Sequence, residues 1–234
     1  MDLSIRLKKL AELADQSVIA DIGCDHALVC IEIVSKHRAK KAYACDLRSD
    51  PLKQARINIE KAGLSDQIFI RQQNGLEGLP EDVEEILIAG MGGKLMMEIL
   101  SSHPPKEAVN TLLLSPHKDA PALRRWLSEN GWKIIEEHIV EDGHFYPIIK
   151  AVRVRKDEKM VLSEKEQEFG VKVIPDEDYI RYLNWSLQKT DQILDHLPLE
   201  KRSVFEKRKD QIKSLQNETV LKAKESKKPE NPVS

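Results

Sequence analysis

The sequence predicts an α/β protein, with a Rossmann-like seven-stranded domain first and a C-terminal helical, coiled-coil-like hairpin after it. Two observations lead to this fold class. Seven short apolar runs occur in the first two thirds of the chain, most of them separated by helical patterns, whereas after residue 156 apolar residues recur at alternating spacings of three and four. The 234 residues, 41% of them hydrophobic, suffice for one medium α/β domain and an appendage.

Seven stretches are predicted to be strands because they are short, apolar and rich in β-branched or aromatic residues. They cover residues 17–22, 41–47, 67–72, 84–90, 110–116, 133–140 and 146–154. Alternation of the first strands with helices implies right-handed crossovers and a parallel, doubly wound sheet. No helical pattern separates the last two strands, so we expect them to form a terminal antiparallel pair.

Two of the intervening helices have recognisable ends. After the second strand, Asp50 is a candidate cap, Pro51 suits the first turn and Gly63 ends the helical pattern. After the fifth strand, Asp119 and Gly131 are expected to begin and end a second helix in the same way. A further amphipathic helix is predicted over residues 3–14, ahead of the first strand.

The C-terminal part predicts two helices that pack along apolar stripes. The first stripe consists of Ile180, Leu183, Leu187, Thr190, Leu194 and Leu197. Pro198 breaks this helix, and the second stripe consists of Phe205, Ile212, Leu215 and Thr219. The predicted organisation is therefore a Rossmann-like domain over 1–156, a helical hairpin over 157–223 and a disordered tail over 224–234.

Composition narrows the class of protein. The net charge is −2, but residues 1–149 hold 18 basic and 23 acidic residues and residues 150–234 hold 19 and 16. This uneven distribution of charge mildly favours binding of a polyanion to the C-terminal part of the chain. Three cysteines without a CxxC pair do not form a disulfide framework, and neither a membrane-length apolar run nor a signal-peptide core is present. We expect a cytoplasmic protein that does not bind a membrane.

The turn after the first strand, "ADIGCDHA" at residues 20–27, indicates a ligand site without a phosphate. Ligands of doubly wound sheets bind at the carboxyl ends of the strands, where strand order reverses. A dinucleotide fingerprint needs glycines at 23, 25 and 28, whereas the chain has Gly23, Asp25 and Leu28. Because the Asp25 carboxylate would repel a pyrophosphate, the favoured ligand is a nucleoside with positive charge, and S-adenosylmethionine fits.

The ends of the next three strands support a nucleoside. Asp46 follows the second strand, where an acidic residue accepts hydrogen bonds from ribose hydroxyls. Asn74 and Gly75 follow the third strand and are expected to border the adenine ring. The fourth strand ends in "IAGMGG", whose glycines allow close approach of the backbone.

Each of these features also has a structural explanation. A single glycine turn or an acidic residue at a strand end is common without any ligand, and the glycine-rich loop is as well explained by a tight connection. His26 is expected in the first turn of the following helix as readily as in catalysis. Cys24, His26 and Cys30 match no standard zinc spacing, so no metal is predicted. Only the placement of the features at four successive strand ends favours a ligand site.

The segments "ADIGCDHA", "IAGMGG", "LLLSPHKDAPALRRWL" and "EDGHFYPIIKAVR", in this order, resemble the bacterial tRNA (adenine-22-N1)-methyltransferase family. The resemblance covers residues 3–155 and extends to the hairpin in layout only. It implies a seven-stranded class I methyltransferase domain and a hairpin that helps to hold tRNA. The residues that it implies to contact S-adenosylmethionine are Asp21, Gly23, Asp25, Asp46, Asn74 and Gly90. Further candidates for this contact are His26, Leu47, Gly75, Met91 and Gly92.

The acceptor base is expected beside the fourth and fifth strands. Gly93, Ser115 and Pro116 are candidate pocket walls, and Asp25, His26 and His117 are candidate catalytic groups that orient the methyl donor or the acceptor. Relatives commonly have Gln-Pro after the fifth strand, so the Ser-Pro-His segment of this chain bears on substrate choice. Adenine N1 is unprotonated at neutral pH and needs no dedicated base, so the contribution expected of the enzyme is orientation.

Candidate contacts to tRNA phosphates lie in two groups of basic residues. They are Arg6, Lys8 and Lys9 near the N-terminus and Arg202, Lys207, Arg208, Lys209 and Lys213 on the second hairpin helix. Such contacts position an RNA without reading its sequence. For any single lysine, a solvated helix face is the simpler explanation.

Two other functions remain open at this stage. One is a methyltransferase of the same fold that acts on a small molecule or a protein, and the other is a non-catalytic Rossmann-like binding protein. The fold alone does not decide between them, because this architecture supports many chemistries. A NAD-dependent enzyme is disfavoured by Asp25.

Overall fold

A computed structural model describes residues 3–155 and 161–225, the last six of these by their backbone only. The chain divides into two compact units, Met1–Lys172 and Val173–Ser234. The first unit runs past the predicted boundary at 156, because residues 163–172 are bound to its sheet and to a neighbouring helix. Most of the predicted tail lies outside the described residues.

The first unit contains one seven-stranded sheet in the order β3-β2-β1-β4-β5-β7-β6. Its strands are β1 Val18–Ile22, β2 Lys41–Asp46, β3 Ile68–Gln72, β4 Glu85–Met91, β5 Thr111–Pro116, β6 Trp132–Asp142 and β7 His144–Arg153. The strands β1 to β5 pair in parallel, and β7 lies antiparallel between β5 and β6. The seven strands and the terminal antiparallel pair predicted from the sequence are confirmed.

Helices cover both faces of this sheet. They are α1 Ile5–Leu13, α2 Leu28–Ser35, α3 Ser49–Ala62, α4 Gly93–Ser102, α5 Ala120–Glu129 and α6 Glu164–Phe169. Alternate residues of each strand point to opposite faces, so Ile19 packs with α1 to α3 and Ala20 packs with α4 and α5. The strands are apolar on both faces because both are buried.

The helix ends differ in detail from the predicted ones. The cap of α3 is Arg48, and Asp50 lies in the first turn, where it pairs with Lys53. Gly63 ends α3, as predicted, and adopts the left-handed conformation. Asp119 occupies the cap position of α5, although its side chain makes no capping hydrogen bond, and the C-terminal cap is Asn130.

The second unit is a helical hairpin formed by α7 Glu177–His196 and α8 Ser203–Glu225, with a short 3-10 helix between them. The side chains buried on α7 are Tyr179, Leu183, Ser186 and Thr190. Ile180 is 42% exposed, so its predicted place in the seam was wrong. On α8, Ile212 and Thr219 are buried as predicted.

Candidate active site

A cavity of about 600 Å³ opens at the carboxyl ends of the parallel strands of the first unit. Strand order reverses between β1 and β4, so the cavity lies at the topological switch point of the sheet. Its walls come from the ends of β1, β2, β3 and β4, from the start of α1 and from α4. The four strand ends singled out in the sequence therefore do meet at one site.

The turn after β1 has a constrained backbone. Gly23 has φ +78°, and its N–H donates to the carbonyl of Cys45 at 2.8 Å. A Cβ at this position would collide with the end of the Met91 side chain. Asp25 and Ala27 adopt φ +50° and +57°, which is costly for residues other than glycine. This backbone carries the Asp25 carboxylate to the cavity rim, where its side chain is 65% exposed.

Asp21 lies beneath this turn and is almost fully buried. The Sγ of Cys30, on α2, lies 3.8 Å from its Oδ2. Burial raises the pKa of Asp21 to about 7, and the negative charges of Asp46 and Asp25 add to the effect. Asp21 is therefore a carboxylate that gains from a cationic ligand in the cavity.

Asp46 lies at the end of β2, the strand next to β1, and is also buried. Its Oδ1 accepts the backbone N–H of Arg48 at 2.9 Å and the Nε–H of the same residue at 3.4 Å. The Arg48 guanidinium is mostly exposed, whereas Leu47 presents an apolar side chain to the cavity with 61% exposure. A carboxylate beside an exposed apolar residue suits a ribose and the face of a base.

The segment after β3 forms the next wall through Gln73, Asn74 and Gly75. The Gln73 side chain donates to the Gly75 carbonyl at 2.8 Å and accepts from Arg71 at 3.1 Å. Gly75 has φ +56° and faces Ile99 of α4, which also lines the cavity. The predicted pair Asn74 and Gly75 is thus at the cavity, and the supporting role of Gln73 was missed.

The glycines at the end of β4 and the start of α4 have different surroundings. Gly90 has φ +76° and faces open space in the cavity, as expected for close approach of a ligand. Gly92 and Gly93 are not among the described residues that line the cavity. A Cβ on Gly93 would lie 2.8 Å from the Asp119 carbonyl oxygen, so these glycines allow α4 to pack on the loop before α5. The described cavity therefore does not have these two glycines in its wall, where the sequence placed them.

The end of β5 lies beside the cavity rather than in its wall. Ser115 and Pro116 are buried, and His117 is exposed, with its ring centroid 5.2 Å from that of Tyr146. Burial and the charge of Arg6 lower the pKa of His117. None of Ser115, Pro116 and His117 is among the described residues of the lining.

His26 lines the cavity at the start of the turn that leads into α2. Its Nε2 lies 3.8 Å from the Asp25 carboxylate, and its buried Nδ1 has no hydrogen-bond partner among the described residues. In the described parts of the chain, no group of three potential metal ligands comes together, and Cys24, Cys30 and Cys45 are buried free thiols.

The basic residues predicted to contact tRNA have varied surroundings. Arg6 lines the cavity and does not project from α1 as a surface residue, whereas Lys8 is exposed. Within the hairpin, Arg208 donates to Ser186 at 3.2 Å and Lys209 pairs with Asp191 at 2.6 Å. The others are placed as follows: Lys9 is half-buried beside Glu12, Arg202 donates to the Leu197 carbonyl, and Lys207 and Lys213 are exposed.

Sequence reasoning missed several cavity residues that belong to no motif. They are Leu7, Ile22, Cys24, Leu28, Val29, Cys45, Arg48, Gln73, Ala89, Leu95 and Ile99. Most are apolar residues whose contact with the cavity depends on tertiary packing. Only the cavity residues next to Asp21 and Asp46 in the sequence could have been predicted, because residues adjacent to a strand end lie at the same edge of the sheet.

The strand order, the antiparallel β7 and the carboxylates around a nucleoside-sized cavity define a class I methyltransferase. The family model described as "Methyltransferase domain" matches residues 3–149. Within the described ranges 3–155 and 161–225, no helix is long and apolar enough to cross a membrane.

Comparison with known proteins shows which family of class I methyltransferases the chain belongs to. The tRNA (adenine(22)-N(1))-methyltransferase of Bacillus subtilis is 37% identical over 155 residues, which are 64% of this chain and just under two thirds, 65%, of that protein. A structure of a putative tRNA (m1A22) methyltransferase from Streptococcus pneumoniae has a TM-score of 0.82 and 31% identity over 92% of this chain and 100% of that one. M. capricolum TrmK, solved with S-adenosyl-homocysteine, has a TM-score of 0.77 and 30% identity over 92% and 98%. The chain belongs to the tRNA (adenine-22-N1)-methyltransferase family.

Proposed function

We propose that this protein transfers a methyl group from S-adenosylmethionine to N1 of adenine 22 in tRNA. The observation that carries the proposal is the cavity at the switch point, where Asp21 and Asp46 end adjacent strands and Asp25 replaces a phosphate-binding glycine. Relatives in the same family are named for this reaction, and structures of two of them contain S-adenosylmethionine or its product.

The groups in the cavity fit this cofactor. Buried Asp46 has the position and chemistry to accept hydrogen bonds from ribose hydroxyls, and Leu47 offers an apolar surface to the adenine. Asp21 and Asp25 favour the positive charge of the sulfonium and ammonium groups. Gly90 leaves the wall open where a larger residue would place a side chain.

When bound, the cofactor supplies an electrophilic methyl group on a sulfonium. The task left to the protein is to hold adenine N1 in line with that methyl and to exclude competing positions. Since N1 is a Watson-Crick atom, any pairing must first be broken, at a cost of a few kcal/mol. Asp25 and His26, at the cavity rim, and His117, beside β5, are the polar groups we assign to orienting donor and acceptor.

The tRNA is proposed to bind through phosphate contacts from exposed basic residues, which include Lys8, Lys207 and Lys213. Such contacts supply affinity that falls as salt rises. Arg208 and Lys209 contact α7 in this structure, so a role for them at the RNA is less direct. In this proposal methyl transfer takes place in the cavity, and the exposed basic residues position the tRNA.

The test is methyl transfer from labelled S-adenosylmethionine to unmodified tRNA, followed by analysis of the nucleosides. We expect label in 1-methyladenosine with wild-type tRNA and none with a tRNA in which adenine 22 is replaced. Cofactor binding without transfer to any tRNA would instead favour a methyltransferase of the same fold with a small-molecule or protein substrate.

A further inference from the structure

The turn that carries Asp25 and His26 to the cavity has a strained backbone and no capping side chain of its own. Asp25 and Ala27 have φ +50° and +57°, in the left-handed region that residues with a side chain rarely adopt. Ala27 is also the N-cap of α2, where it has no polar side chain to accept from the first N–H groups of the helix. Such a conformation persists only where the surrounding structure holds it. The turn therefore needs support from other elements.

One support comes from β2 and acts on the start of the turn. The N–H groups of Gly23 and Cys24 both donate to the carbonyl of Cys45, at 2.8 and 3.0 Å. The N–H of Ala27 donates to the carbonyl of Cys24 at 2.9 Å, which closes the turn. The hydrogen-bond ladder of α2 begins with the carbonyl of Ala27. The carbonyl of His26, one residue earlier, lies outside that ladder and needs a different donor.

This donor is the side chain of Asn58, on α3. Its Nδ2 donates to the carbonyl of His26 at 3.0 Å, across 32 positions of sequence. Its Oδ1 accepts from the Nε2 of Gln54, one turn earlier on the same helix, at 3.0 Å. Because the amide oxygen of Asn58 is bound to Gln54, the amide nitrogen points to the turn. Both side chains are half-buried, so the two bonds are partly shielded from water.

Packing of α3 does not by itself account for an amide at position 58. The helix is buried through Leu52, Ala55 and Ile59, which belong to the core on this face of the sheet. An apolar residue at position 58 would cover the same surface, whereas only a donor satisfies a backbone carbonyl. The bond to the His26 carbonyl therefore explains the polar side chain.

We propose that Asn58 is a positioning residue of the cofactor site, whose amide holds the turn so that the Asp25 carboxylate stays at the cavity rim. Gln54 orients this amide. The inference rests on the proposed function in its choice of cofactor and in the role of Asp25 toward the ammonium group. Asn58 is not among the described residues that line the cavity, so it acts on the cofactor through the turn.

The experiment compares S-adenosylhomocysteine with 5′-methylthioadenosine, which keeps the adenosine and the sulfur but lacks the amino-acid part with its ammonium. Dissociation constants are measured by calorimetry with the full chain and without tRNA. Asn58→Asp keeps the shape of the side chain and its contact with Gln54 but replaces the donor with an acceptor. We expect it to weaken S-adenosylhomocysteine by about tenfold, as for the loss of one hydrogen bond to a charged group, and to leave 5′-methylthioadenosine unchanged.

A double-mutant cycle tests whether Asn58 acts through Asp25. Asn58→Leu, which lacks both the donor and the acceptor, should match Asn58→Asp in the otherwise unchanged chain. In the background of Asp25→Asn, which itself weakens S-adenosylhomocysteine, it should weaken binding further by less than about twofold. Gln54→Leu releases the amide and should give a smaller loss than either variant of Asn58.

The control variant is Lys61→Gln, on an exposed position of α3. It changes the net charge by the same amount as Asn58→Asp and should leave both affinities unchanged. Binding of 5′-methylthioadenosine by each variant shows that its cavity is folded.

Three outcomes would overturn the assignment. Equal weakening of the two ligands by the Asn58 variants would make Asn58 a structural residue of the whole cavity. Unchanged binding of both would mean that the turn keeps its conformation without the amide. Full additivity with Asp25→Asn would show that Asn58 acts through another group. A wild-type protein that binds neither ligand would instead contradict the proposed cofactor, so the two failures are distinguishable.

Discussion

At the scale of single residues, we expect Asp21 to make cofactor binding depend on pH. Its pKa in the free protein is raised to about 7, chiefly by burial. A cationic ligand favours the ionised form, so binding below that pH must release a proton. We expect the affinity for S-adenosylmethionine, measured by calorimetry, to fall by up to about tenfold per pH unit below about 7. Asp21→Asn should bind more weakly and with no such slope.

The stability of the free protein provides the control for this prediction. The pKa of Asp21 rises from 3.8 to about 7 on folding, so its protonation stabilises the fold at low pH, and this contribution is lost as the pH rises through about 7. Asp21→Asn cannot ionise and should unfold about 2–4 °C higher than the wild type at alkaline pH. A variant that unfolds lower there and keeps the pH slope of binding would contradict the assigned pKa.

Single residues also show how much of a site can be predicted from residue types alone. Asp21, Gly23 and Asp46 were found because a residue at the end of a parallel strand lies at one edge of the sheet whatever the rest of the fold does. The place of Arg6 in the cavity was not predicted, because its partner Ser115 is 109 positions away in the sequence. Gly93 was placed in the pocket wall because a sequence does not distinguish a glycine required by helix packing from one required by a ligand.

At the scale of elements, a buried ion pair fixes the segment around α6 to the sheet. Arg124 of α5 and Glu137 of β6 are almost fully buried, with Nη2 and Oε2 2.9 Å apart. Arg124 also donates to the carbonyls of Gln167 and Glu168, and Glu137 accepts the Val171 N–H at 2.7 Å. The first unit extends to Lys172 because this pair is satisfied only with that segment in place.

Removal of either charge should therefore destabilise the first unit strongly. Arg124→Met or Glu137→Gln alone should lower the free energy of unfolding by about 3–5 kcal/mol, because each leaves a buried charge unpaired. The double variant should cost less than the sum of the two, since the charges are removed together. Denaturant unfolding measures this, with exposed Arg125→Ala as the neutral control. Additive losses would show that the two residues act independently.

The strands and helices also show which sequence patterns predict an element well. Strand limits were predicted closely because apolar runs bounded by polar residues or turns leave few alternatives. The seam of α7 was less certain, because Tyr179 and Ile180 are adjacent and both apolar. The structure buries Tyr179 together with the small side chains of Ser186 and Thr190, which a count of large apolar residues does not favour.

At the scale of the whole molecule, the division into two units predicts separable functions. The unit Met1–Lys172 contains the entire cavity, both faces of the sheet and the Arg124–Glu137 pair with its partners. A chain ending after Lys172 should bind S-adenosylhomocysteine with unchanged affinity. A chain ending at 156 should be destabilised, because it lacks the carbonyls and N–H groups that satisfy the buried pair.

The helical hairpin should contribute to tRNA binding and not to cofactor binding. Because it carries exposed basic residues such as Lys207 and Lys213, we expect the chain ending after Lys172 to lose about tenfold or more in tRNA affinity and part of its salt dependence. Gel-shift titrations at two salt concentrations measure both quantities for the full and shortened chains. Retained tRNA affinity with an unchanged salt slope would mean that the phosphate contacts lie on the methyltransferase unit. The surface of α1 around Lys8 would then be the next place to search, because it lies on the unit that contains the cavity.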